Sequence, residues 1–220
     1  MGYTLNFNAV WRSFDLLLAG LALSLGLAFA AILLGCLIGL VTAFAQLSRN
    51  AAIRWIASLY VTIIRNTPIL VLILFAYFAL PQLGVRLGKI ESFVMTLAIY
   101  SGAYLAEVFR GGLLALPAGL REAGLAIGLN EMQVRTSIIV PLMIRNVLPS
   151  LGSTIISLFK DTSLAAAIAV PELTFEARKI NVETFRVIET WIVASCMYVA
   201  TCSALAAIMR QVERRLSVPR

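Results

Sequence analysis

Five ionisable residues lie within or beside long apolar runs: Arg65, Glu107, Arg145, Lys160 and Asp161. Charge is costly in hydrocarbon, so such groups face a bundle interior or an aqueous path. Together they offer acceptors for an ammonium and donors for a carboxylate, the two chemistries that an amino-acid zwitterion requires. Each also has a plainer reading. Glu107 and Arg110 are three apart on a helix and can pair at the interface, Arg65 can snorkel to lipid phosphate, and Lys160-Asp161 can organise a helix end. Covalent chemistry is poorly served. Histidine is absent, which removes the commonest general acid/base and the HExxH zinc signature. Cys36, Cys196 and Cys202 sit in apolar runs without CxxC spacing and read as small hydrophobes. No nucleophile and base occur together, and no Walker A pattern is present to cradle a nucleotide.

The elements that must position these groups follow from composition. The 220 residues have a mean hydropathy of +0.92, 60% hydrophobic and 13% charged residues, against about 25% charged in an ordinary soluble domain. The chain belongs in a bilayer. A spanning helix takes about 20 apolar residues, so residues 1–220 accommodate one all-helical membrane domain of about five spans. The net charge of +7 and pI near 9.8 do not indicate nucleic acid, because the basic residues occupy loops between apolar runs instead of one face. That placement suits lipid headgroups and positive-inside topology.

The first span is the charge-free run Leu16 to Ser48, about 50 Å as a helix and too long for a cleavable signal. Its excess over the roughly 30 Å hydrocarbon core requires tilt or an interfacial first turn. A second runs from about Trp55 to Leu80, interrupted by Arg65-Asn66-Thr67-Pro68, and a third from Phe93 to Phe109, closed by Arg110-Gly111-Gly112. Beyond Pro117 the stretch Ala118 to Gln133 is amphipathic and polar enough to lie outside the hydrocarbon. A fourth span, Ser137 to Phe159, contains Pro141 and Pro149, each of which removes a backbone donor. A polar loop, Pro171 to Glu189, precedes the last span, Thr190 to Met209. With the tail inside, Arg49, Arg54, Arg110, Arg121, Arg135 and tail arginines 210, 214, 215 and 220 outnumber the outer basic residues by nine to seven. This favours an outside N-terminus and a cytoplasmic C-terminus.

Glu122-Ala123-Gly124, three residues, Gly128, nine residues, and then Ile138-Ile139-Val140-Pro141 resembles the EAA loop of importer-type ABC permeases. That loop reads Glu-Ala-Ala, three residues, Gly, nine residues, Ile, one residue, Leu-Pro. Gly124 stands for the second alanine and Val140 for leucine. An interfacial helix with no partner is the plain alternative, but the distances out to Pro141 favour coupling to an ATPase. Arg65-Asn66-Thr67-Pro68 is similar to the Arg-Gly-Thr-Pro element of the polar amino-acid branch, with Asn66 in place of glycine. The run Ala103 to Gly112 and Lys160-Asp161-Thr162-Ser163-Leu164 resemble that branch too. The resemblance covers roughly Arg65 to Leu173.

The resemblance implies a type I importer fold with a coupling loop over about 118–136, in which Glu122, Ala123, Gly124, Gly128 and Pro141 meet the ATPase. It implies a bacterial inner-membrane permease that pairs with itself or a paralogue and is fed by an extracytoplasmic solute-binding protein. Two ATPase subunits, which bind ATP and magnesium, would drive it, and this chain would need no cofactor. Arg65, Glu107, Lys160, Asp161, Thr162 and Ser163 are the candidate substrate path for polar amino acids. The alternatives are another small zwitterion or, from a different class, an ion-driven transporter or channel, which internal repeats or a filter segment would mark.

Overall fold

The computed structural model describes residues 4–216; Arg220, counted above with the tail, lies outside the described residues. After a short helix α1 (Asn8–Arg12) comes α2 (Phe14–Gln46), a single helix of 33 residues. Apart from Leu17 and Leu27, which are buried, its sides are sorted by size. Gly20, Ser24, Ala28, Ala31, Gly35, Gly39 and Ala43 are buried, while Leu25, Phe29, Leu33, Leu37 and Val41 are exposed. Small residues inside and large ones outside is the pattern of a helix whose neighbours must approach closely while lipid solvates the rest. The neighbour is α5 (Lys89–Leu114). The Ser101 hydroxyl donates to the Ala31 carbonyl at 3.2 Å, and a Cβ on Gly39 would lie 2.9 Å from that of Leu105. Contacts advance in the same order along both helices, so α2 and α5 run parallel.

Between them the chain is broken where the sequence predicts only an interruption. Helix α3 (Ala51–Asn66) and the segment Ile69–Leu83, which opens with α4 (Ile69–Leu74), bend by 101° at Thr67-Pro68. Pro68 has no N–H and forces its predecessor out of the helical region, and Thr67 is extended, with φ −101° and ψ 129°. Among the described residues, four helices are long and apolar enough to cross a membrane, and five spans result if the bent pair counts as one.

Four other expectations are corrected. The third helix does not close at Arg110-Gly111-Gly112 but continues to Leu114. Gly112 is buried against Val147 and Met143, so packing there sustains the helix instead of ending it. The fourth span is longer than Ser137 to Phe159. It begins at α7 (Glu131–Val134), widens to a π-turn over Arg135–Ile139, continues as α8 (Val140–Asp161) and tightens to a 3₁₀ run over Thr162–Ile168. A widened turn is what the missing N–H and ring of Pro141 demand of the preceding carbonyls. The stretch Pro171 to Glu189 is not a plain loop, because it contains α9 (Leu173–Thr184). Leu173, Ala177 and Ile180, at i, i+4 and i+7, are buried. They pack with Val10 and Leu17 and with Val193 of α10 (Val187–Leu216), which outruns the expected last span at both ends.

The Glu172 side chain caps α9, accepting from the N–H groups of Thr174 (2.9 Å) and Phe175 (2.8 Å). It also accepts from the Ser24 hydroxyl of α2 (3.3 Å) and the Tyr198 hydroxyl of α10 (3.0 Å). Burial pushes its carboxyl above the usual range, and these four donors oppose that shift.

Candidate functional site

Two regions hold the functional candidates. In the first, the bend after α3 leaves Arg65 beside α5, its guanidinium 5.2 Å over the Tyr104 ring and one nitrogen 3.9 Å from Glu107. Glu107 is already engaged. Its Oε1 accepts from Gln46 Nε2 (3.0 Å) and Arg110 Nε (3.1 Å), and its Oε2 from Arg110 Nη2 (2.7 Å). The Glu107–Arg110 pairing anticipated from spacing is therefore present, whereas Arg65 retains donors facing open space.

The Arg65–Glu107 contact, with Tyr104, forms a wall between two cavities. One of about 420 Å³ continues past Gly111 to Asn146, Ser150 and Thr154 on α8. The other, about 380 Å³, reaches Gln46, Ser58, Thr62 and Asn66. The Tyr100 ring lies against that of Tyr104, centroids 4.7 Å apart and tilted by 40°. Arg65 thus stands at one end of a pair of aromatic rings.

Asn146, Ser150, Ser153 and Ser157 of α8 are exposed and Thr154 is half-buried. Spaced three and four apart, they form one polar row along a spanning helix, ending at exposed Lys160 and half-buried Asp161. The hydroxyls of Ser153 and Thr154 both donate to the Ser150 carbonyl at 2.9 Å, so their lone pairs remain as acceptors. Thr162 and Ser163 bond in the same way, but Thr162 is buried and Ser163 half-buried. Each hydroxyl turns back onto its own helix, Thr162 to the Phe159 carbonyl (2.7 Å) and Ser163 to that of Lys160 (2.8 Å). Sequence reasoning missed Gln46, Tyr100 and the row on α8. The row was discoverable from the period of Asn146, Ser150 and Thr154 within an apolar run.

The second region is a helical hairpin. Helix α6 (Gly119–Ala126) ends at Gly128, whose φ of +89° is the left-handed conformation that glycine adopts without strain. Asn130 and Gln133 then form a reciprocal capping box that starts α7. Arg121 of α6 donates two N–H groups to Glu131 of α7, fastening the arms. Gly124 is buried between them, where a Cβ would meet Val134 Cγ2 at 2.8 Å, so it serves the hairpin's own packing. Glu122 and Ala123 are exposed, as are Ile127 (76%) and Met132 (67%) at the tip. Pro141 starts α8 beyond the π-turn.

A membrane bundle with a polar row along one spanning helix and a helical hairpin with a charged, apolar tip defines a translocating subunit worked from outside its own fold. The pattern of the family described as "Binding-protein-dependent transport system inner membrane component" matches residues 31–218, and the chain belongs to that family. It is 36% identical over 215 residues to the glutamine transport system permease protein of Escherichia coli, covering 97% of this chain and 98% of that one. It is 33% identical over 218 residues to the L-cystine transport system permease protein of Bacillus subtilis, covering 98% and 93%. A solved amino acid ABC transporter with histidines superposes with a TM-score of 0.87 at 32% identity, covering 97% of this chain and 100% of that chain. The methionine ABC transporter, in inward-facing form, shares the fold with a TM-score of 0.81 at 20% identity. The chain is thus a multi-pass permease subunit of an ABC importer, and ATP hydrolysis belongs to a separate subunit.

Proposed function

We propose that the chain carries polar amino acids across the bacterial inner membrane by alternating access, with its N-terminus outside and its C-terminus in the cytoplasm. An extracytoplasmic binding protein delivers the substrate. A second permease subunit, identical or paralogous, completes the path, and two ATPase subunits, which bind ATP and magnesium, grip the hairpins. The observation that carries this reading is the graded path from Arg65 over Tyr104 and Tyr100 to the acceptor-rich face of α8 and Asp161. Arg65 has free donors for a carboxylate, and Asp161 and the hydroxyl lone pairs suit an ammonium. The relatives named for glutamine and cystine transport support the same substrate class. Lys160 completes the far end of the path, while Glu107 holds Arg65 and Thr162 and Ser163 shape the turn.

At the hairpin, Glu122 and Ala123 present the contact for the ATPase, with Ile127 and Met132 as its apolar part. Gly124 and Gly128 hold its shape, and Pro141 with the π-turn passes its motion to α8. The test is reconstitution of the chain with its ATPase and binding protein in liposomes, followed by uptake of a panel of labelled amino acids. ATP-dependent uptake of at least one polar amino acid is expected. Glu122→Lys should abolish it while the variant still inserts; preserved uptake in that variant would remove Glu122 from the coupling contact. Failure of every amino acid to stimulate ATP hydrolysis or accumulate would sink the substrate assignment.

A further inference from the structure

A third cavity, of about 810 Å³, lies at the root of the hairpin, where the end of α2, the start of α3, the end of α5 and the π-turn converge on the Arg121–Glu131 pair. Its lining joins three guanidinium groups, Arg49, Arg121 and Arg135, to a single carboxylate, Glu131. Arg121 occupies both oxygens of that carboxylate. Arg49 and Arg135 make no ion pair among the described residues, although both lie close enough to act on Glu131 electrostatically. Arg135 is instead held 5.7 Å over the Phe44 ring, which fixes its guanidinium toward the cavity. The remaining wall is apolar apart from Ser48. Leu47 (41% exposed) and Ile53 (46% exposed) lead from the cavity onto the outer surface of the bundle, and Leu113 and Ile139 line its interior.

We propose that this cavity binds the headgroup of an anionic phospholipid, with its phosphate on Arg49 and Arg135 and an acyl chain along Leu47 and Ile53. Three features select this ligand. The uncompensated charge is positive and guanidinium-based, the geometry that engages phosphate oxygens through paired N–H groups. Arg49 follows the end of one helix long and apolar enough to span, and Arg135 lies near the start of another, where anionic headgroups attract basic residues. The wall continues as hydrocarbon-facing surface, which a soluble anion would leave exposed. A lipid bound here touches α2, α3 and the π-turn at once, and so bears on the hairpin's root without occupying its tip.

The test uses the full chain, purified in uncharged detergent and offered equal phosphatidylglycerol and phosphatidylcholine, with retained lipid read by native mass spectrometry. Wild type is expected to retain phosphatidylglycerol about thirtyfold over phosphatidylcholine, a preference of the size that two arginines at headgroup level supply. Arg49→Gln with Arg135→Gln should reduce it to about one. Arg86→Gln with Lys179→Gln, which removes the same charge elsewhere, should leave it intact. No preference in wild type, or equal loss in both double variants, overturns the site. Displacement of the lipid by excess inorganic phosphate would overturn it in favour of a free-anion site. Because the Arg49/Arg135 variant risks misfolding, a phosphatidylglycerol carrying a headgroup photocrosslinker is applied to the wild-type chain. Crosslinks within 44–53 and 131–139 are expected, and crosslinks confined elsewhere refute the proposal. Neither readout depends on transport, so importer activity and lipid binding fail or stand separately.

Discussion

Glu107 illustrates how one side chain serves two ends. It accepts from Gln46 and Arg110 and lies beside Arg65, so removing it strands donors that hydrocarbon does not solvate. Glu107→Ala is expected to cost about 1–3 kcal/mol of stability and to lower uptake by more than it lowers the amount in the membrane, since Arg65 then loses its fixed position. Uptake that falls only in step with abundance would leave Glu107 a purely structural role. Gly124 gives a sharper test, because alanine there restores the family motif yet places a Cβ 2.8 Å from Val134. Gly124→Ala should destabilise the hairpin by about 1–3 kcal/mol through overpacking, and Val134→Ala in the same chain should recover most of the loss. Absence of rescue would show that the crowding lies elsewhere.

Glu172 supplies the pH dependence. Burial raises its carboxyl, so the stability linked to its protonation is fully present below the unfolded value of about 4.3 and is lost as pH rises through the higher folded value. Tyr198→Phe removes a donor to the charged form and should cost about 1–2 kcal/mol, with the gap in Tm from wild type widening between pH 5 and pH 8. A constant gap would show that Tyr198 acts by packing alone. At this scale the sequence disclosed the intramembrane charges and the pairing of Glu107 with Arg110, because both are local. It concealed the contacts of Gln46 and Tyr100, which depend on where α2 and α5 cross.

Among the elements, α8 is the most informative. Asn146, Ser150 and Thr154 line one cavity wall, and Asn146→Leu, Ser150→Leu and Thr154→Leu together should reduce uptake at least tenfold while leaving membrane insertion intact. Unimpaired uptake in that triple variant would exclude this face of α8 from the path. The number of spans and the hairpin were readable from hydropathy and from the spacing out to Pro141. Helix α9 was not, because its four buried contacts form a stripe diluted by charged residues, and one turn of it is set by Glu172 folding back as a cap. The 101° bend after Asn66 was also only half legible. Proline announces a break, but the angle depends on Ile69 and Ile73 packing against Phe93 and Leu97.

Taken whole, the bundle has two surfaces of opposite character. The outer faces of α2 and α10 expose Phe29, Leu37, Val199 and Ile208, side chains that lipid solvates. The face formed by α8 and the bend beside Arg65 exposes Asn146, Ser150, Ser153 and Ser157, which lipid does not. Behind that second face, Met143 and Val147 pack against Leu105 and Phe109. An unaccompanied copy therefore presents to the bilayer what a half-folded protein presents, and membrane proteases recognise such surfaces. On the proposed pairing with a second permease subunit over α8, the cellular amount of this chain is set less by its own synthesis than by the supply of that subunit, with surplus copies removed as misfolded.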